Sequence, residues 1–174
     1  MDLSDNTTIN KLILLYVFDK MGMPLLQNTV LDLCSNSNTW INYMESIECL
    51  RELLHVEFLY KTTNDRNDYY CITPAGRACL ESFYTHIPAS TRNDVSEYIK
   101  NHRINFKRAQ EYFRAYYKND DGTYTVHLKI IDPMRTNLDI KLNVANRTTA
   151  KSVANKWSEN AADVYYSLHE KLNE

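Results

Sequence analysis

Apolar residues recur at helical spacing in the first part of the chain. Ile9, Leu12, Ile13, Tyr16 and Val17 follow the cap oxygens of Asn6-Thr7-Thr8, and Gly22 stops the helix just past its last turn. Met23-Pro24-Leu25 reads as a short extended link, because the residue before proline avoids the helical region. A second short helix is predicted from about Asn28 to Cys34, then a polar turn over Ser35–Thr39. A third helix is predicted from about Ile41 to His55, with Tyr43, Ile47, Leu50 and Leu54 on its buried face. Phe58–Lys61 and Tyr69–Ile72 read as two strands, joined by a polar hairpin tip over Asn64–Asp68. Thr73 caps a fourth helix with Pro74 at its first position.

After Pro88 the pattern changes. A helix is expected over about Ala89–Arg103 and a strand over Arg108–Lys118, followed by the turn Asp120-Asp121-Gly122. Tyr124, Val126, Leu128 and Ile130 alternate with polar residues, as do Leu138, Ile140, Leu142 and Val144, with Asp132-Pro133 to Asn137 as the turn between them. A last helix, about Thr148–Leu172, aligns Val153, Ala154, Trp157, Ala161, Val164, Tyr165, Leu168 and Leu172 as a stripe to cover that sheet. The expected fold is therefore α+β. An N-terminal winged helix-turn-helix occupies residues 1–86, and a small three-stranded antiparallel sheet packed with long helices occupies residues 87–174.

The passage Ile72-Thr73-Pro74-Ala75-Gly76-Arg77-Ala78-Cys79-Leu80-Glu81-Ser82-Phe83 resembles the turn from wing into helix of PadR-like and MarR-like regulators. Thr73 satisfies helix amides there, Gly76 permits close packing, and Leu80 with Phe83 returns to the core. The chain as a whole is similar to a family of uncharacterised bacterial winged-helix proteins described as a domain of unknown function. Leu3-Ser4-Asp5-Asn6, Met23-Pro24-Leu25, Ile87-Pro88 and Trp157 carry that likeness. It implies a transcriptional regulator and nothing finer.

Composition narrows the function classes. With 44% hydrophobic and 24% charged residues, the chain is expected to fold rather than stay disordered. Its opening, Met1-Asp2-Leu3-Ser4-Asp5-Asn6, is acidic and unlike a secretory signal, and its longest apolar run, Leu12–Phe18, is too short for a membrane. A cytoplasmic protein without membrane contact is expected. The four cysteines, Cys34, Cys49, Cys71 and Cys79, have no metal-binding or CxxC spacing and read as free thiols. Gly22, Gly76 and Gly122 are the three glycines, too few and too scattered for a phosphate-cradling loop. The histidines show no metal spacing, and no nucleophile elbow appears, so no catalysis, metal or cofactor is expected.

Charge bears on partners. Residues 1–86 carry 6 Lys+Arg against 11 Asp+Glu, and residues 87–174 carry 14 against 11. If helix three enters a duplex DNA groove, Asn42, Tyr43, Ser46 and Arg51 are the candidate contacts, joined by Lys61 and Arg66 of the wing. Tyr43 is expected to pack inward, and Arg51 to lie at the flank of the apolar stripe. Glu45, Glu48 and Glu52 are expected opposite that stripe, where carboxylates oppose the phosphate contacts that supply most non-specific affinity. The same acidic face would suit a basic protein partner, a second reading without DNA. A third makes the C-terminal unit a small-molecule sensor, though no residue pattern defines its pocket or its effector. Lys100, His102, Arg103, Lys107, Arg108, Arg114 and Lys118, interleaved with aromatics, read chiefly as the charged outer face of an edge strand, with nucleic-acid contact by phosphates and stacking, or a meeting with the acidic first half within a chain or across a dimer, as alternatives. The tyrosine count of 13 fits an interface, and a homodimer is the expected assembly.

Overall fold

The computed structural model describes residues 3–173, with side chains from Asn6 onward, so part of the acidic opening lies outside the described residues. The chain is α+β and divides into two compact units, Met1–Ile104 and Asn105–Glu174. The division falls inside a long helix instead of at residue 86, because the first part of that helix packs with the N-terminal elements. No helix among the described residues is long and apolar enough to cross a membrane.

In the first unit, α1 spans Leu3–Met21 and starts before the Asn6-Thr7-Thr8 cap read from the sequence. Leu12 through Phe18 are all buried, so the middle of α1 is enclosed on every side, while polar residues lie at its two ends. Gly22, at φ +58°, closes it with an N–H to the Phe18 carbonyl (3.0 Å). The Met23-Pro24-Leu25 link becomes a strand, β1 (Leu25–Leu26), which pairs antiparallel with Tyr69 and Tyr70. Next come α2 (Gln27–Leu31), which runs into a π-helical turn over Asp32–Asn36, and α3 (Tyr43–His55). The hairpin strands are β2 (Leu59–Asn64) and β3 (Asn67–Ile72), and the sheet order is β1-β3-β2. Helix, short strand, two helices and a hairpin thus follow in order, with β1 a paired strand where the sequence suggested only an extended link.

Thr73 caps α4 (Pro74–Phe83) by accepting from the Gly76 N–H (3.0 Å), and its own hydroxyl donates to the Glu57 carbonyl (2.8 Å). A Cβ built on Gly76 would stand 2.3 Å from the Phe58 carbonyl oxygen, so only glycine lets α4 start this close to the β2 entry. A short 3₁₀ turn leads to α5 (Ala89–Glu111). Its N-terminal part buries Val95 and Ile99, and its Ser96 hydroxyl meets the Tyr16 hydroxyl at 2.6 Å.

In the second unit, the strand expected from Arg108 begins only at Tyr112. Nothing between Arg103 and Glu111 breaks a helix, and Lys107 pairs with Glu111 one turn on (3.8 Å). Strands β4 (Tyr112–Lys118), β5 (Tyr124–Ile131) and β6 (Thr136–Val144) form an antiparallel sheet in that order, with Gly122 at φ +87° in the first turn. One face, carrying Val126 and Leu128, is sealed by Ala150, Ala154, Trp157 and Ala161 of α6 (Arg147–Leu172). The Trp157 indole donates to the Lys129 carbonyl (3.3 Å), satisfying its only polar group.

Candidate functional site

The exposed side of α3 and the β2–β3 hairpin make the surface on which the sequence placed its candidates. Asn42 holds the start of α3, accepting the Met44 N–H on Oδ1 (2.9 Å), and stays exposed with its amide nitrogen at the helix end. From there the helix packs differently from the expected stripe. Its buried residues are Ser46, Cys49, Leu50 and Leu53, against Tyr43, Ile47, Leu50 and Leu54 read from the sequence. Tyr43, expected inward, is 48% exposed. Ser46, expected at a nucleic-acid surface, is fully buried with its hydroxyl 3.1 Å from that of Ser35, and is removed from the contact set. Two small side chains, Ser46 and Cys49, let α3 lie close beneath its neighbours, which a search for large apolar residues overlooks.

This rotation redistributes the glutamates. Glu45 accepts from the Asn10 amide (3.0 Å), and Glu52 pairs with Lys11, so both turn toward α1. The Lys11 ammonium holds the Glu52 carboxyl below the usual range. Glu48 alone keeps an outward place, beside Arg51 (Oε1 to Nη2, 3.4 Å). Arg51 is not at the flank of the stripe but outward, with 74% of its side chain exposed. Met44 and His55, which sequence reasoning passed over, complete the outward row at helical spacing with Glu48 and Arg51.

The hairpin tip is tighter than expected. Asn64 pairs with Asn67, leaving Asp65 (φ +48°) and Arg66 (φ +67°) as a two-residue loop of the mirror-image kind that matches strand twist. Asp68 is held below the ordinary carboxyl range by the Thr63 hydroxyl (2.6 Å) and by Lys61 (3.1 Å), while Asp68 raises Lys61. Lys61 is therefore half spent on its own hairpin, and Arg66 projects from the tip in exposed surroundings.

The other basic residues do not gather into one stripe. Within the first unit, the Arg103 guanidinium donates to the Met21 carbonyl (2.5 Å), and His102 stacks on Tyr98 with ring centres 4.1 Å apart. Within the second, Arg114 donates to the Ala154 carbonyl (3.3 Å) and to Ser158. Lys100, Lys107 and Arg108 lie on α5 and not on a strand.

Burial pushes the Cys34 thiol up to about 12 and that of Cys49 up to about 11, so neither is a nucleophile at neutral pH. No group of three His, Cys, Asp or Glu suited to a metal ion occurs among the described residues. An apolar cleft of about 510 Å³, walled by Leu12, Leu15, Leu53, Val56, Phe58 and Phe83, lies between α1, α3 and α4. A family model, described as a domain of unknown function (DUF4364), matches residues 10–172. No curated protein and no solved structure matches the chain.

Proposed function

From the premise that the chain belongs to that family of unknown function, we propose a non-catalytic cytoplasmic regulator with a winged helix of the PadR-like or MarR-like kind. It docks on duplex DNA through α3 and the β2–β3 wing, and acts as a homodimer. The observation that carries this reading is the division of the glutamates. Glu45 and Glu52 are turned to α1 and engaged there, so the outward face of α3 offers Asn42, Tyr43 and Arg51 with one opposing carboxylate instead of three. A carboxylate about 4 Å from a phosphate costs about 1 kcal/mol even at the dielectric of water, so moving two of them aside removes most of the repulsion. Asn and Arg carry donors that fit base edges in the major groove, and Arg66 at the wing tip suits a phosphate or the minor groove.

A second reading has its own support. Met44 is 69% exposed and Val56 51% exposed, so the surface of α3 is partly apolar, as a protein-binding helix is. One titration separates the two. Fluorescence anisotropy of labelled random duplex with the full chain, between about 50 and 200 mM salt, should show affinity falling as salt rises. Glu48→Gln should then tighten binding about fivefold, because it lifts the remaining repulsion and releases Arg51. Absence of binding at the lowest salt by a folded chain would remove the DNA reading and leave the protein contact.

A further inference from the structure

Strand β6 is an edge of the second unit's sheet, nine residues long and paired on one side only, with β5. Long open edges are a hazard that proteins blunt or fill. The residues along this one read Asn137-Leu138-Asp139-Ile140-Lys141-Leu142-Asn143, which mirrors itself about Ile140 in every respect but charge. When such a strand meets a copy of itself antiparallel with Ile140 facing Ile140, Leu138 faces Leu142 and Asn137 faces Asn143. Asp139 then faces Lys141, so the one place where the mirror fails is where opposition of charge is wanted. Directly opposed residues share a face of the sheet with Cβ atoms about 5 Å apart, the distance at which such pairs stabilise a ladder.

We propose that β6 pairs with β6 of a second copy of this chain about a twofold axis at Ile140, joining two three-stranded sheets into one of six. Three observations favour a second copy over a foreign strand. Asp139 already has partners inside its own chain, accepting from His127 Nε2 (2.7 Å) and standing 3.8 Å from Lys129 Nζ. Lys141, by contrast, is exposed and has no ion pair among the described residues, and the copy's Asp139 supplies the missing carboxylate. On the other face, Leu142 is 41% exposed, while Leu138 lines a hollow of about 270 Å³ of mixed polarity, with Leu168 and Leu172 of α6 on its apolar side and Asn137 and His169 on its polar side. The copy's Leu142 lands opposite Leu138, beside that hollow. The opposite edge, β4, carries Arg114 and Lys118 and no carboxylate, so self-pairing there finds no counter-charge. A twofold pairing uses the same patch on both copies and closes at two, which separates it from open-ended edge aggregation.

This supplies the second copy that the homodimer reading asks for, and its test contains no DNA. The full chain should sediment as a dimer. Lys141→Asp sets aspartates against each other at two symmetric places and should raise the dimer dissociation constant at least about tenfold. The double exchange Asp139→Lys with Lys141→Asp restores opposition and should restore the dimer. Ile140→Cys should cross-link to its own copy under mild oxidation, because opposed Cα atoms about 5 Å apart are within disulfide reach. Leu138→Cys, whose own copy is displaced by four residues, should not. A monomeric wild type, a dimer indifferent to Lys141→Asp, a double exchange that fails to restore it, or cross-linking that does not distinguish positions 140 and 138 would overturn the proposal.

Discussion

An L-residue held in the left-handed region is strained by about 1 kcal/mol or more, and two-residue hairpins of this kind normally put glycine or asparagine there. Asp65 tolerates the region through its short polar side chain, but Arg66, at φ +67°, has no such excuse. On the proposed reading, the strain at Arg66 is tolerated because its side chain makes a contact at the wing tip. Arg66→Gly separates the two roles. It should raise stability by about 1 kcal/mol, seen as a melting temperature higher by roughly 2–4 °C. The same variant should bind DNA more weakly and flatten the salt dependence by about one unit of slope. Gain and loss together support the contact role of the wing tip. A fall in melting temperature, or an unchanged slope, counts against it.

At the scale of elements, turns are set by short polar side chains, and the β5–β6 turn shows how. Burial alone would raise the Asp132 carboxyl. The Asn137 amide (2.8 Å) and the N–H groups of Met134 and Arg135 (2.8 and 2.9 Å), with the Arg135 charge, hold it below the ordinary range instead. A carboxyl lowered in the folded state stabilises fully above its unfolded value and loses that contribution as pH falls through the folded one. Asp132→Asn should therefore cost about 1 kcal/mol at pH 7, and the gap to wild type should begin to narrow below about pH 4 and close only once the pH lies below the lowered folded value. Urea denaturation of both chains at pH 7 and along a series below about pH 4 measures it, and a gap that stays equal throughout would rule out the charge as the source. The sequence announced this turn through Asp132-Pro133, as it announced Gly122 and the Thr73-Pro74 cap, because each depends on a local backbone requirement. It misplaced the buried face of α3 by roughly 80° about the helix axis, because that face depends on what α3 packs against. Tyr43 and Ile47 drew the stripe one way, whereas the buried side is set by Ser46 and Cys49, small enough for close approach. The destinations of Glu45 and Glu52 followed from the same misplacement. No pattern within α3 could reveal Asn10 and Lys11 as their partners, 35 and 41 residues away along the chain.

For the whole molecule, charge makes the number of copies matter. The unit bearing α3 and the wing holds 9 Lys+Arg against 13 Asp+Glu over residues 1–104, so its general field repels a duplex. On the proposed reading, binding rests on a few placed cations per copy, chiefly Arg51 and Arg66 with Lys61 half engaged. So few phosphate contacts give a shallow salt slope, about −2 to −3 for one copy at 0.9 per contact, and weak affinity. Two copies joined through β6 turn the second engagement into an intramolecular one, which can raise affinity by a hundredfold or more without any new contact. The edge of the second unit should thus be felt in DNA binding although it lends no cation to it. Lys141→Asp, made to separate the copies, should weaken binding to long random duplex by at least about tenfold and roughly halve its salt slope. On a duplex too short for two copies it should change little. The double exchange that restores Asp139 opposite Lys141 should recover both affinity and slope. If Lys141→Asp weakens short and long duplex alike, residue 141 acts on DNA directly and the coupling through the dimer is wrong. If it weakens neither while the copies have separated, one wing and one α3 suffice for the proposed binding, and the dimer is not needed for it.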